Sequence, residues 1–409
     1  MAQDKAENVR RRRVFYIPGY DPIHPRRYRE LYRKQAADQA RISGYDLVLS
    51  PQRQKGPYGW HVEACISGQW TETDFEVMVW SDIVRSSMDQ GIIASYVQLL
   101  RTAWVYISSG ALFRLGRLRK GPIIAALYPV VFLIVQLLIA LAVAWGIGQV
   151  LSYLHPLAAW AGVLVVPVVL RWFRRIDNRL FAYYLMHDYA YSAQYRGANP
   201  PALEARMAVF AERIAGALRA DVEEVLVVGH SSGAHLAVSV LSDLIRAGRL
   251  PASGQPVLSL LTLGHVVPMV SFLPRAQRLR GDLRFLSTRD DITWVDVTAP
   301  GDGCAFALCD PVAVTGVAPD GQKWPLVFSA AFSETLSPAR WRQLRRRFFR
   351  LHFQYLCAFD RPRDYDYFQI TAGPFSLGAR YRGRPASPSC IRRVASGYRS
   401  VAKSADQGR

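Results

Sequence analysis

The sequence contains few cysteines and no recognisable motif for holding a metal, a nucleotide or a flavin. Its cysteines are Cys65, Cys304, Cys309, Cys357 and Cys390. Their spacing matches neither a zinc site nor a disulfide framework. An odd number of cysteines is typical of a protein in a reducing compartment. We therefore expect a protein without a metal ion and without any other cofactor.

Acidic residues are scarce relative to basic ones. The chain has 51 lysines and arginines against 32 aspartates and glutamates, which gives a net charge of +19 at pH 7. Such a surplus suits nucleic acid as a partner, but no nucleic-acid-binding module is recognisable and the basic residues flank apolar stretches. Anionic lipid head groups explain that placement better. We expect a lipid bilayer as partner and no nucleic acid.

The N-terminal segment lacks the apolar core of a secretion signal. Residues 1–13 are polar and end in four consecutive arginines. The apolar run that follows covers only residues 14–17, which is far shorter than the apolar region of a signal peptide. We expect no cleaved signal.

Long apolar runs are present in the middle of the chain instead. Residues 122–145 carry no charge, and as a helix they would extend about 36 Å, enough to cross a hydrocarbon core of about 30 Å. A second uncharged stretch, residues 150–170, would extend about 31 Å and follows a glycine-containing turn at 146–149. This pattern predicts a transmembrane hairpin of two helices. A re-entrant hairpin in one leaflet and a pair of buried core helices are the alternatives.

Basic residues flank both ends of the predicted hairpin. They are Arg114, Arg117, Arg119 and Lys120 before it and Arg171, Arg174 and Arg175 after it. The positive-inside rule places both flanks in the cytoplasm. We expect an integral protein of a bacterial-type inner membrane, with the rest of the chain on the cytoplasmic side.

The segment before the hairpin has apolar residues at helical spacing. They are Ile83, Ile92, Ile93, Val97, Leu100, Trp104 and Ile107. Trp104, Tyr106 and Phe113 stand close to the basic cluster, a mixture that suits the surface of a bilayer. An amphipathic helix packed on a protein core would show the same spacing, so both interpretations stay open.

A serine flanked by glycines provides the most specific motif. Gly229, His230, Ser231, Ser232 and Gly233 follow the apolar run 225–228 and precede a helix-like stretch. This order predicts a strand, a sharp turn and a helix, with Ser231 at the apex. The turn is so tight that side chains at positions 229 and 233 would collide with the backbone, hence glycine at both. We expect His230 to be structural or to line a pocket.

Apolar runs that suit strands alternate with helical stretches along the chain. The predicted strands are 14–17, 45–49, 60–66, 75–80, 225–228, 257–263, 292–297 and 325–330. The predicted helices outside the membrane segment are 26–42, 201–218, 232–247 and 338–358. Such alternation predicts an α/β fold with a mostly parallel sheet, in which functional residues gather at the carboxyl ends of the strands.

The Gly-x-Ser-x-Gly motif between a strand and a helix resembles the nucleophile elbow of the α/β-hydrolase superfamily, which includes esterases and lipases. The resemblance covers residues 14–80 and 200–375. It implies an α/β-hydrolase-like, mostly parallel sheet flanked by helices, with the transmembrane hairpin inserted and Ser231 as the nucleophile.

The resemblance also divides the chain into four parts. Residues 1–80 and 200–377 form the two parts of the hydrolase domain. Residues 81–199 form the membrane-associated insertion. Residues 378–409 form a basic tail, whose composition predicts disorder over about the last 25 residues.

Triad order in that family is serine, then an acid, then histidine. Asp302 lies in a loop after the predicted strand 292–297 and is the preferred acid. Asp296 within that strand is its rival, and Asp310 is a weaker candidate. Asp302 also suits a plain turn, because Pro-Gly-Asp-Gly is common turn chemistry.

Only three histidines follow Ser231. His235 lies one helical turn from the serine, and His265 precedes every acid candidate, whereas His352 satisfies the family order. A histidine within the predicted helix 338–358 is unusual for this role, and a packing histidine is the alternative.

The family stabilises the tetrahedral oxyanion with two backbone N–H groups. One would be that of Ser232, which follows the nucleophile. The second is expected from Gly19 or Tyr20, in the loop after the first strand; a simple Pro-Gly turn is the alternative there.

The resemblance implies a membrane-anchored serine hydrolase that cleaves an ester or thioester through a covalent acyl-enzyme. The substrate would be a small-molecule or lipid ester. Acyl transfer by the same site is one alternative. A non-catalytic membrane scaffold with a hydrolase fold is another, and it gains support if His352 lies far from Ser231.

Overall fold

Eight strands form a single sheet in a computed structural model that describes residues 8–53 and 56–402. They are β1 (Arg11–Ile17), β2 (Asp46–Pro51), β3 (Gly59–Ile66), β4 (Gln69–Val77), β5 (Glu224–His230), β6 (Val257–Leu263), β7 (Ile292–Thr298) and β8 (Leu326–Ser329). Their spatial order is β2-β3-β4-β1-β5-β6-β7-β8. Strand β3 is antiparallel to β2 and β4, and all other neighbours are parallel. The predicted α/β fold with a mostly parallel sheet is confirmed.

Helices connect the strands and cover both faces of the sheet. In the first half of the chain they are α1 (Arg26–Ser43), α2 (Ser81–Met88), α3 (Ile92–Ser108), α4 (Ala111–Leu118), α5 (Lys120–Ser152), α6 (Val166–Arg175), α7 (Asp177–Leu180), α8 (Ala182–Gln194) and α9 (Pro201–Ala217). In the second half they are α10 (Gly233–Arg246), α11 (Val267–Ser271), α12 (Gln277–Leu286), α13 (Pro311–Thr315), α14 (Phe332–Thr335), α15 (Pro338–Leu344), α16 (Phe348–His352), α17 (Tyr367–Ala372) and α18 (Leu377–Arg380). Two 3₁₀ helices cover Pro156–Val165 and Gln354–Leu356.

The central strand β5 is buried along its whole length. Val225 and Val227 pack into one apolar cluster, and Leu226 and Val228 pack into another on the opposite face. Alternate side chains of a strand point to opposite faces, and a parallel sheet covered on both sides therefore needs a continuous apolar run. The sequence of β5 satisfies this need and holds the Ser231 turn at the centre of the sheet.

A fully buried ion pair joins β1 to β5. Arg12 Nε lies 2.6 Å from Glu224 Oε2, and both side chains are inaccessible to solvent. The other Glu224 oxygen accepts hydrogen bonds from the Ser259 hydroxyl and the Leu377 N–H. Arg12 also donates to the Gly373 carbonyl. These bonds satisfy the desolvated charges and attach the segment before α18 to the sheet.

Two consecutive helical segments are long and apolar enough to cross a membrane: Lys120–Ser152 and Pro156–Arg175. Most of their large apolar side chains are exposed, which is unlike core helices. They pack closely through small residues. A Cβ on Gly162 would lie 2.3 Å from the Ala144 carbonyl oxygen, and one on Gly148 would lie 2.8 Å from the Ala159 carbonyl oxygen. Such contacts are typical of helices packed within a bilayer.

The first of these helices is longer than the sequence pattern indicated. It does not end at residue 145, and the expected turn at 146–149 is wrong, since the helix continues to Ser152. Gly148 stays helical because its missing side chain allows the contact with Ala159. At about 1.5 Å per residue the 33-residue helix is about 50 Å long, more than a hydrocarbon core of about 30 Å requires.

The apolar stripe of α3 faces outward. Ile93, Val97, Leu100 and Trp104 are exposed, whereas Leu99 on the opposite side is buried. Helix α3 packs on α8 through that opposite side. The orientation favours the bilayer-surface interpretation of this stripe over packing on a protein core.

Two sequence-based expectations about the C-terminal third are wrong. Residues 338–358 form three short helices rather than one, because Trp341 packs on Gly301 and Phe348 packs on Gly303 of the same loop. The described part of the tail, residues 378–402, is joined to the rest of the protein by hydrogen bonds. Ile391 pairs with Cys309 through the backbone, and the Arg280 side chain donates to the Ser400 carbonyl, so hydrogen bonds hold a tail whose composition is poor in apolar residues. Residues 1–7 and 403–409 lie outside the described residues.

Candidate active site

The chain makes a sharp turn between β5 and α10, and Ser231 stands at its apex. Ser231 has a φ of 57°, a left-handed conformation that a residue with a side chain rarely adopts. A Cβ on Gly229 would lie 2.7 Å from the Gly233 carbonyl oxygen, and a Cβ on Gly233 would lie 2.1 Å from the Ile17 carbonyl oxygen. Both glycines are therefore required by the close backbone approach, as the motif predicts.

The loop after β1 lies against this turn. A Cβ on Gly19 would lie 2.9 Å from the Ser231 Cβ and 3.3 Å from its Oγ. The loop is held by the Trp80 indole N–H, which donates to the Pro18 carbonyl at 3.0 Å, and by the Tyr184 hydroxyl, which donates to the Tyr20 carbonyl. Within residues 8–53 and 56–402, the backbone N–H groups of Tyr20 and Ser232 have no hydrogen-bond partner.

Asp302 and His352 are in direct contact, although 50 residues separate them in the chain. His352 Nδ1 lies 2.7 Å from Asp302 Oδ2, and both side chains are buried. Because an ionised carboxylate only accepts, the hydrogen bond places the proton on Nδ1 and leaves Nε2 of a neutral imidazole as the acceptor. His352 is the last residue of the short helix α16 rather than the middle of a long helix.

Three donors surround the Asp302 carboxylate. Besides His352, the Tyr355 hydroxyl donates to Oδ2 at 3.0 Å and the Cys304 N–H donates to Oδ1 at 2.9 Å. Burial alone would raise the pKa of Asp302, but the His352 charge and these hydrogen bonds outweigh it and hold the pKa below its usual value. Asp302 therefore stays ionised at neutral pH.

Sequence reasoning missed Tyr355. Its hydroxyl accepts the Ala299 N–H at 2.9 Å while donating to Asp302, so it ties the carboxylate to the backbone at the end of β7. The residue lies one turn past His352, but nothing in the local sequence distinguishes it from a packing tyrosine.

Ser231 and His352 line the same cavity. Its volume is about 730 Å³, within the range of ligand sites. His352 Nε2 is buried and has no hydrogen-bond partner among the described residues. No hydrogen bond therefore joins it to the Ser231 hydroxyl in this structure. An unpartnered buried acceptor costs free energy, and this one lines the same cavity as that hydroxyl.

His230 contacts His352 from the other side. The two rings are 4.8 Å apart, and His230 Nε2 donates to the His352 carbonyl at 3.0 Å. Burial, with a smaller contribution from the His352 charge, lowers the pKa of His230 to about 3. His230 is therefore neutral and serves to hold the His352 backbone, which agrees with a structural role.

The other candidates stand apart from this arrangement. Asp296 accepts from the Thr262 hydroxyl at 2.6 Å and faces His265 at 3.6 Å, not His352. Asp310 caps α13 by accepting the Val312 and Ala313 N–H groups. His235 points to a small separate cavity that also contacts Tyr20 and Ser232.

A thiol lies beside the acid and the histidine. Ligand atoms of Asp302, Cys304 and His352 are all within 4.8 Å of one another, a spacing that a metal ion accommodates. Both carboxylate oxygens are already engaged by N–H and O–H donors. Metal binding would therefore have to replace the hydrogen bond between His352 and Asp302.

Asp188 on α8 lines this cavity, as Asp21 does, and sequence reasoning missed it. It lines the cavity with Ser231 and His352. Burial raises its pKa to about 7, against a smaller lowering by the His352 charge. It stands in an aromatic-rich stretch that carries no recognisable motif.

We expect Asp188→Asn to stabilise the protein at pH 8 but not at pH 4. The folded pKa of Asp188 lies above its unfolded value of 3.8. Ionisation therefore favours unfolding progressively from about pH 4 to about pH 7, and the cost is constant above that. Asparagine removes a cost on the order of 2 kcal/mol, allowing for partial solvent access. Thermal unfolding in detergent across this pH range measures the difference. The exposed Asp320→Asn is the control, and a pH-independent difference for Asp188→Asn contradicts the expectation.

Comparison with known proteins yields no relative, because no protein family model, no curated protein and no solved structure matches this chain. The function must therefore be inferred from the geometry of the site rather than from similarity to known proteins.

Proposed function

We propose that the protein is a membrane-anchored serine hydrolase of the α/β-hydrolase type that cleaves an ester or thioester. The observation that carries the proposal is the buried hydrogen bond between Asp302 and His352, whose free Nε2 shares a cavity with Ser231. The strained turn at Ser231 in the central strand and the mostly parallel sheet also support it.

The chemistry follows from these groups. His352 Nε2 takes the hydroxyl proton of Ser231 as the Ser231 oxygen bonds to the acyl carbon. Asp302 holds the imidazole in the required tautomer and stabilises the imidazolium. The same proton then passes to the departing alcohol or thiol. Water, deprotonated by His352, releases the acid and restores Ser231.

Charge develops on the carbonyl oxygen during both steps. The N–H group of Ser232 directly follows Ser231, and that of Tyr20 lies in the loop whose Gly19 contacts Ser231. Both lack partners among the described residues, so they are the proposed donors to this oxyanion. The Tyr184 hydroxyl and the Trp80 indole fix the loop that carries Tyr20. Preorganised donors of this kind lower a barrier by roughly 3 kcal/mol each.

We assign the hydrolase domain to the cytoplasmic side of a bacterial-type inner membrane. The two apolar helical segments are each long enough to span the membrane and are joined by a short connection. Basic residues stand at both outer ends of the pair. The positive-inside rule favours keeping those ends in the cytoplasm.

Labelling by a fluorophosphonate tests the proposal. The full chain in detergent is expected to gain one covalent phosphonate per molecule, located on Ser231 by mass spectrometry, because only an activated serine attacks this reagent at a useful rate. Ser231→Ala is expected to remain unlabelled, whereas the surface variant Ser253→Ala labels like the wild type. A folded wild-type protein that takes up no label contradicts the proposal.

A further inference from the structure

The cavity beside Ser231 is walled partly by the start of the apolar helix α5. Gly121, Pro122, Ile124, Ala125 and Tyr128 of α5 line it. Tyr128 lies about 12 Å along the axis from Lys120, at about 1.5 Å per residue. Ile124 and Tyr128 are also exposed on the outside of the protein. If α5 spans a bilayer, an acyl chain has direct access to this wall from the lipid phase.

The first turn of α5 touches the loop of Asp302. A Cβ on Gly121 would lie 3.1 Å from both the Cα and the carbonyl oxygen of Gly303. The reacting groups are therefore adjacent to the residues where the apolar helix begins. A substrate cleaved there needs an apolar part along α5 and a scissile bond near its polar end.

Another part of the cavity wall is basic. Arg346, Arg347 and Arg350 line it, and all three are exposed. Within the described part of the chain none of them forms an ion pair with a carboxylate. No acidic residue occurs between Glu334 and Asp360, although Arg340 of this segment pairs with Asp360.

The carboxylates that face the cavity do not neutralise these arginines. Asp21 accepts from Arg27 and from the Tyr28 hydroxyl at 2.7 Å. Asp188 lies on α8, and burial raises its pKa. The guanidinium groups are therefore available to an anion, and phosphate suits them because it accepts several N–H donors at once.

We propose, resting on the proposed hydrolase function, that the substrate is a phosphate-bearing acyl lipid with net negative charge, taken from the bilayer. Its acyl chain lies along α5, its phosphate contacts Arg346 and Arg350, and its carboxylic ester meets Ser231. The Ser231 oxygen bonds to the acyl carbon, and the glycerol oxygen leaves with the proton from His352. Water then releases the fatty acid, so phospholipid and water yield lysophospholipid and fatty acid.

Rates on two substrates and a matched pair of variants test this inference. The full chain in nanodiscs is assayed for fatty-acid release from phosphatidylglycerol and, separately, for hydrolysis of the neutral ester p-nitrophenyl butyrate. Arg346→Gln/Arg350→Gln is expected to lower the ratio of the first rate to the second at least tenfold, since each basic residue near a lipid surface contributes about 1 kcal/mol. Arg342→Gln/Arg345→Gln removes the same charge outside the cavity and is expected to keep the ratio within about twofold.

Each of the other outcomes contradicts either the lipid inference or the hydrolase function. An equal fall of the ratio in both variants, or equal cleavage of phosphatidylcholine and phosphatidylglycerol by the wild type, overturns the inference. Cleavage of palmitoyl-coenzyme A but not of phosphatidylglycerol also overturns it and points to a soluble phosphate-bearing thioester. If the wild type hydrolyses the neutral ester but neither acyl phosphate compound, the lipid inference fails while the hydrolase function stands. If Ser231 takes up no fluorophosphonate, the hydrolase function itself fails.

Discussion

The His352→Ala variant is expected to hydrolyse p-nitrophenyl butyrate about 10⁶ times more slowly than the wild type. Without the imidazole, the Ser231 hydroxyl loses the base proposed to accept its proton, and a protonated alcohol is a poor nucleophile. His352 Nε2 is a buried acceptor of this cavity that lacks a partner among the described residues, and the Asp302 carboxylate holds its imidazole in place. Initial rates in detergent, with thermal unfolding to verify the fold, measure the effect.

Two further variants make the result specific to cooperation between His352 and Ser231. The double variant Ser231→Ala/His352→Ala is expected to be no slower than either single variant, because residues that act as a unit are not additive. The exposed His24→Ala is expected to retain the wild-type rate. A folded His352→Ala protein that keeps more than about a hundredth of the wild-type turnover excludes His352 as the base.

Replacement of Asp302 by asparagine is expected to lower kcat about 10⁴-fold. The Asp302 carboxylate accepts the Nδ1 proton of His352 at 2.7 Å. An amide has no charge to stabilise the imidazolium, and its NH₂ group favours the tautomer that carries the proton on Nε2. The same esterase assay measures the loss.

Asp296→Asn is the matched control for this variant. Asp296 is also a buried aspartate, but it is hydrogen-bonded to Thr262 and faces His265. We expect its turnover to stay within about tenfold of the wild type. Comparable losses in both variants would mean that the effect reports general damage to the sheet rather than the role of Asp302.

The sequence predicted the sheet well because its strands are local patterns. The run 257–263 matches β6, and most other predicted strands differ from the observed ones by a few residues at their ends. The exception is 75–80, which overlaps only the end of β4 (Gln69–Val77). The alternation of strands with helices also indicated parallel pairing. The order of the strands was not predictable, since it depends on contacts between distant segments such as β1 with β4 and β5.

The site was predictable where a single segment determines it. The turn at Ser231 requires glycine at 229 and 233 for local steric reasons. The five residues 229–233 are therefore enough to predict it. The proximity of Asp302 and His352 followed only from the order of residues in a resembling family. Whether His352 acts as a base stays a prediction.

Other parts of the site had no local signal. Tyr355 and Asp188 gain their contacts from tertiary packing, and no spacing in the chain marks either one. The tail was misjudged because its composition is polar, yet backbone bonds such as that between Ile391 and Leu308 hold it in place. Amino-acid composition indicates how much apolar surface a segment can bury, but it does not indicate which backbone hydrogen bonds the segment forms.

The contact between Gly121 and Gly303 joins the start of an apolar helix, α5, to the loop that carries Asp302. Helix α5 is longer than a hydrocarbon core is thick, and a helix with such an excess tilts by an amount that depends on the thickness of the bilayer. Tilting would pivot its first turn against the loop that carries Asp302, because two glycines leave no side chain to absorb the movement. On the proposed membrane-anchored hydrolase function, turnover would then follow the acyl-chain length of the surrounding lipids.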